Sequence, residues 1–176
     1  TDLGFQYDYV TAEHITDGRL SREGFRALVL PYAQALSAEV TEAIRQFAAA
    51  GGVVVADLRP GIFDEHGRLL ETGQLDDLFG IERTASGALP EPLKMRPLSP
   101  AALASRLPDM PVDHQVRVGS GAAGAHVDDV PALIGHRVGK GRTILLNFYP
   151  GRYIALRTMG REQALLRSIR RLLTAA

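Results

Sequence analysis

The sequence contains no cysteine and no tryptophan, and only 6% of it is aromatic. Without cysteine there is no thiolate nucleophile, no disulfide and no Cys-based zinc site, while the redox compartment stays undecided. An excess of one charge is missing as well, because 20 basic side chains balance 20 acidic ones. A nucleic-acid-binding domain would carry a basic excess or stripe, so no nucleic-acid partner is expected. No apolar run approaches the roughly 20 residues of a membrane-spanning helix. There is also no basic-plus-apolar leader. Hence no membrane partner is expected, and a cytoplasmic location is.

The 176 residues suit a single domain, 1–176, long enough to bury a full core. The chain opens on Thr1, and Asp2-Leu3-Gly4 reads as the last turn of a helix with a glycine C-cap. It is therefore expected to be a piece of a longer protein. Phe5 to Val10 alternates apolar and polar residues, the period of a strand with one wetter face. His14 to Phe25 is polar with two glycines and reads as a loop, with a short helical turn at Ser21 to Gly24.

Arg26 to Pro31 is a short apolar run closed by proline, the pattern of a central parallel strand. Ser37 is a good N-cap, with Glu39 and Glu42 in the first turns. Val40, Ile44, Phe47 and Ala48 then recur at helical spacing until Gly51-Gly52 ends the helix. Val53 to Ala56 is a second buried strand, so this stretch is a βαβ unit.

Further on, Gln74 to Phe79 reads as a short helix ending at Gly80, and Ile81 to Pro97 as irregular, with an edge strand at Leu93 to Arg96. Ser99-Pro100 opens a short helix that stops at Pro108. Gln115 to Val118 is a weak strand. Leu133 to Val138 and Thr143 to Tyr149 form an antiparallel hairpin across Gly139-Lys140-Gly141. The last helix carries a Leu165, Leu166, Ile169, Leu172, Leu173 stripe, with Arg161, Arg167, Arg170 and Arg171 mostly opposite.

Several motifs have an ordinary explanation. Gly119-Ser-Gly-Ala-Ala-Gly124 spells the dinucleotide fingerprint, but no acidic residue lies between Val130 and Arg161, where the ribose partner would be needed. It reads as a flexible loop. His126-Val-Asp-Asp129 and Asp64-Glu-His66 have metal-ligand residue types without the spacing of a zinc site, and they suit Gly-rich turns. No metal is assigned. His14, His114 and His136 are isolated. Only Asp57 among the carboxylates ends a core strand, which is half of what a glycosidase pair requires.

One constellation remains. Loops at the C-terminal edge of a parallel sheet gather where ligands usually bind. That edge collects Tyr32 and Gln34, Asp57 and Arg59, and Tyr149 and Arg152, a polar pocket without a nucleophile–base pair. It makes these six residues the candidate ligand-binding set and leaves no catalytic residue assigned.

The run Arg26-Ala-Leu-Val-Leu-Pro-Tyr-Ala-Gln-Ala-Leu-Ser37, the helix after it, Ala50-Gly-Gly-Val-Val-Val-Ala-Asp57 and the phrase Leu75-Asp-Asp-Leu-Phe-Gly-Ile81 together resemble the trimerisation domain of family-42 β-galactosidases. The "strand, Leu-Ser, helix, Gly-Gly, strand" part is shared with the class I glutamine amidotransferase-like superfamily. That resemblance implies a three-layer, flavodoxin-like α/β fold with a mostly parallel sheet. It also implies that the first strand–helix unit of the family domain lies outside this sequence. Working amidotransferases carry a cysteine at the turn after the second strand and a histidine and glutamate in a Phe-His-Pro-Glu phrase. Here the turn is Asp57-Leu-Arg-Pro-Gly61 and the phrase is Phe148-Tyr-Pro-Gly151, so glutamine hydrolysis by that route is excluded.

The resemblance thus implies a non-catalytic, structural domain of a β-galactosidase-like glycoside hydrolase, working in oligomerisation and needing no cofactor. Its partners would be further copies of itself, as a trimer, or a catalytic barrel domain of the same protein. By itself the chain is not expected to be an enzyme. The alternatives are a carbohydrate or other small-molecule binding module at the strand-end pocket, and a hydrolase built on Asp57 or His66.

Overall fold

The computed structural model describes residues 6–83, 94–96, 110–127 and 129–150. They form an α/β domain with a five-strand mixed sheet and helices. The elements run α1 (Ala12–Thr16), α2 (Arg19–Arg22), β1 (Ala27–Leu30), α3 (Ala38–Ala49) and β2 (Val53–Ala56), followed by β3 (Ile81–Arg83), β4 (Lys94–Arg96), β5 (Met110–Val112) and β6 (Val116–Val118). The chain then folds into β7 (Ala122–Val127), β8 (Val130–Val138) and β9 (Gly141–Leu146). The main sheet has the order β1-β2-β9-β8-β7, and two small antiparallel pairs, β3-β6 and β4-β5, lie apart from it.

β1, β2 and β9 are parallel, with Leu28 opposite Val54 and Val54 opposite Thr143. β8 and β7 continue the sheet antiparallel. The sheet is therefore half parallel in its pairings rather than mostly so, because the hairpin reaches one strand further than the sequence pattern suggests. Ser37 caps α3 by accepting the N–H of Val40, 3.2 Å away. Val40, Ile44, Phe47 and Ala48 turn inward on one stripe and meet Leu28, Leu30, Val54, Ala56 and Leu145. Burying a side chain such as Ile44 contributes about 1.5–3 kcal/mol, and this stripe is the centre of the core. The β8–β9 turn docks on the end of α3: Lys140 N–H donates to Ala49 O at 3.0 Å. A Cβ on Gly141 would collide with the carbonyl oxygens of Ala48 and Gly52, so only glycine lets the turn sit there.

Four expectations are corrected. Gln6 to Val10 forms no strand; Tyr7 and Tyr9 are exposed, and Asp8 pairs with Arg19 at 2.7 Å instead of joining a ladder. The stretch from His14 holds two short helices, α1 and α2, because Thr11 and His14 make a reciprocal capping box at the start of α1. Gln74 to Phe79 is a series of turns, not a helix, and Asp76 accepts the Gly73 N–H at 3.1 Å. The small-residue stretch is not a flexible loop throughout: from Ala122 it is strand β7, with register shifts around Gly124 where a Cβ would press on Leu133. The helices expected after Ser99 and from Arg161 onward lie outside the described residues, as do Phe5 and Leu93. No helix among the described residues is long and apolar enough to cross a membrane.

Candidate functional site at the strand ends

The parallel strands deliver their loops to one edge, and the loops are cross-tied there. Gly61 N–H donates to Ala33 O and Phe63 N–H to Gln34 O, both at 3.0 Å. Gln34 N–H in turn donates to Tyr32 O at 2.9 Å. Two residues at this edge, Tyr32 (φ 51°) and Arg59 (φ 59°), are the non-glycine residues with left-handed backbones among those described. Such a conformation costs an L-residue roughly 1–3 kcal/mol and persists only where surroundings enforce it.

For Tyr32 the enforcing contact is Asp57, whose Oδ1 accepts the Tyr32 N–H at 2.6 Å. Asp57 is buried at the end of β2. Burial pushes its carboxyl above the ordinary carboxylate value, against the lowering effect of the Tyr32 and Asp57 backbone N–H groups. Tyr32 itself is exposed and meets Tyr149 edge-on, with ring centroids 5.9 Å apart. The structure thus brings Tyr32, Asp57 and Tyr149 together and ties Gln34 into the same loop. Arg152 lies outside the described residues.

Arg59 turns the other way. Its Nε donates to Asp113 Oδ2 at 2.9 Å, and Arg83 Nη1 donates to the same oxygen at 2.7 Å. Arg83 Nε also holds Asp76 Oδ1 at 2.8 Å. Asp113 and Asp76 are fully or almost fully buried, so this is an interior cluster of two arginines and two aspartates. Burial alone would raise the Asp113 carboxyl. The hydrogen bond from Arg59 and the charges of Arg83 and Arg59 outweigh it and hold the carboxyl below its ordinary value. Asn147, at the end of β9, donates to Asp113 O and Pro131 O at 3.0 and 2.9 Å and fastens the cluster to the sheet.

Sequence reasoning missed Asp113, Arg83, Asp76 and Asn147. They stand in turns and short strands with no periodicity, and their partners are up to 54 positions away along the chain. The elsewhere-placed Asp64-Glu-His66 segment is a turn in which Asp64 accepts the N–H groups of His66 and Arg68, each at 2.9 Å. Among the described residues no three His, Asp or Glu side chains group as a metal site.

Chemically, the edge has two layers. An exposed tyrosine pair lies over a buried carboxylate, and an interior salt cluster braces the turn beside it. No nucleophile stands next to a base at this edge in the described residues.

Residues 4–159 match the family described as the β-galactosidase trimerisation domain. No curated protein sequence matches the chain. Among solved structures, Gan42B, a GH42 β-galactosidase from G. stearothermophilus, is similar with a TM-score of 0.61 and 19% identity, covering 89% of this chain and 24% of that one. A β-galactosidase from Rahnella sp. R3 is similar with a TM-score of 0.57 and 20% identity, over 90% of this chain and 25% of that one. A protein of Salmonella typhimurium LT2 described as cytoplasmic gives a TM-score of 0.56 at 10% identity, over 94% of this chain and 82% of that one. At these identities the likenesses are of fold. The chain spans about a quarter of the length of the β-galactosidases.

Proposed function

The chain belongs to the β-galactosidase trimerisation domain family, and from that premise we propose that it is a structural domain whose work is homo-oligomerisation. The parent would be a β-galactosidase-like glycoside hydrolase in the cytoplasm, and the partners further copies, as a trimer, or that protein's catalytic barrel. The observation that carries this reading is the occupation of the strand-end turn. Asp57 directs the Tyr32 turn and Arg59 holds Asp113, so the polar groups that could act on a substrate are engaged within the chain instead. The three-layer, flavodoxin-like arrangement fits the burial of both sheet faces. Val54 and Leu145 meet the helices, while Val53, Val55 and Ile144 are buried on the other side. Sedimentation equilibrium over a wide concentration range tests the assembly. A mass of several protomers that persists on dilution supports it, and a monomer throughout would end it.

A second reading rests on the Tyr32–Tyr149 pair. An exposed aromatic edge over a buried carboxylate suits the apolar face and hydroxyl groups of a sugar. In that reading Tyr32, Gln34, Asp57 and Tyr149 form a carbohydrate or other small-molecule site, with Arg59 held away from it on Asp113. Thermal-shift measurements with a panel of galactosides test it: a rise that Tyr32→Ala and Tyr149→Ala abolish supports the site, and no rise with any sugar removes it.

A further inference from the structure

Away from the strand ends, a serine and a histidine meet in the geometry of a nucleophile and its base. Ser120 sits at the tip of the Gly119-Ser120-Gly121 loop between β6 and β7 and is exposed. The loop is pinned from both sides, since Gly119 N–H and Gly121 N–H each donate to Gly80 O at 2.9 Å. A Cβ on Gly121 would meet Gly80 O and an Ile134 methyl at 2.9 Å, which leaves the serine little room to drift. Ser120 Oγ lies 3.2 Å from His136 Nε2, and His136 Nδ1 lies 3.0 Å from Leu78 O.

Those contacts define the tautomer. Leu78 O can only accept, and it also takes the Thr143 hydroxyl at 2.9 Å. His136 Nδ1 must therefore carry the hydrogen, which leaves a lone pair on Nε2 facing the serine hydroxyl. Nucleophile, base and a fixed group orienting the base are the three parts of an activated serine. Here a backbone carbonyl takes the orienting place.

We propose that Ser120 and His136 form a nucleophile–base dyad that accepts acyl groups from small neutral esters. The Ser120 oxygen attacks the ester carbonyl carbon while its proton passes to His136 Nε2. The carbon–oxygen bond to the alcohol breaks, and the departing alkoxide takes that proton. Water then attacks the carbonyl carbon of the acyl-serine and gives a proton to His136; the bond from that carbon to Ser120 Oγ breaks, Oγ takes the proton from His136, and the acid is released. Neutral substrates are favoured over anionic ones because Glu82 flanks the loop; a Cβ on Gly119 would lie 3.5 Å from its Oε1. The N–H groups of Gly119 and Gly121 are both committed to Gly80 O, so neither stabilises the oxyanion. Turnover is then slow, and covalent capture of Ser120 is the stronger readout.

The test treats the folded chain with a fluorophosphonate probe and, separately, p-nitrophenyl acetate, followed by tryptic digestion and mass spectrometry. Residues 118–137 form one tryptic peptide in which Ser120 is the single hydroxyl-bearing residue. The expected result is an adduct on that peptide that is lost in Ser120→Ala and forms on the order of a hundredfold more slowly in His136→Asn. Because His136→Asn could disturb the fold, Ser120→Cys gives an independent measure in a chain otherwise free of cysteine. Its alkylation by iodoacetamide should outpace that of Ser21→Cys, an exposed control. Labelling no faster in the folded chain than in urea, or equal alkylation at the two engineered positions, would overturn the proposal.

Discussion

Asp57 and Asp113 are the same residue type, both buried, both at the strand-end edge, yet they sit in opposite electrostatic settings. Asp113 receives two guanidinium groups, Arg59 and Arg83, and its carboxyl is held below the ordinary value. Asp57 receives the Tyr32 backbone N–H, and its carboxyl is pushed above it by burial. Burial acts in the same direction on both. What differs is whether a cation is fixed close enough to reverse it, and that separates a carboxylate that holds the fold from one that only directs a turn.

The largest effect should come from breaking the Asp113 cluster. Asp113→Ala leaves two buried guanidinium groups without their shared anion and should lower the unfolding free energy by about 3–5 kcal/mol in urea titrations. Among the described residues the cluster is imperfect, since buried Arg83 Nη2 and Asn147 Oδ1 find no hydrogen-bond partner there. That makes it sensitive to damage without making it a large net source of stability. A core deletion, Ile44→Ala, should cost a similar or slightly smaller amount, about 2–5 kcal/mol. Acid separates the two mechanisms. A carboxyl depressed in the folded state stabilises above its unfolded value, about 3.9, and that contribution is lost as pH falls through the folded value. The Asp113→Ala deficit should therefore shrink in strong acid, whereas the Ile44→Ala deficit should not change through this group.

Asp57 carries the reverse sign. A raised carboxyl binds its proton more readily in the folded chain, so its contribution improves as pH falls through the folded value towards the unfolded one. Asp57→Asn keeps an oxygen for the Tyr32 N–H and removes a buried charge. Stability at neutral pH should hold or rise by up to about 1 kcal/mol. The smallest effect sharpens the Tyr32 side of the contrast. Tyr32→Gly and Tyr32→Ala both lose the ring contact with Tyr149, but only glycine relieves the left-handed backbone. The glycine variant should melt above the alanine variant, by about 1 kcal/mol, a reversal of the usual order.

The β1–α3–β2 unit was legible because each of its parts is local. Ser37 caps its own helix, Val40 to Ala48 follow one period, and Val53 to Ala56 are apolar on both faces. The β8–β9 hairpin was legible for the same reason, through Gly139-Lys140-Gly141. The helices α1 and α2 escaped notice because Thr11 and His14 cap five residues with little apolar periodicity. β7 escaped because alanine and glycine give no strand pattern, and its strand state comes from pairing with β8. At the site, the position of Asp57 followed from the strand before it. Its partner, the backbone of a strained tyrosine 25 residues earlier, is a tertiary fact, as is the convergence of Arg59 and Arg83 on Asp113. Ser120 lies in the β6–β7 loop and His136 within β8, and the two acquire meaning only when Gly80 draws the loop onto β8.

The central claim, that fixed partners rather than burial decide what each strand-end carboxylate does, is tested most directly by unfolding Asp113→Asn and Asp57→Asn beside the wild-type chain across neutral to acidic pH. The account predicts a large loss for Asp113→Asn that narrows in acid. For Asp57→Asn it predicts no loss at neutral pH and a relative gain that fades as pH falls. Equal losses for the two variants at neutral pH would contradict it.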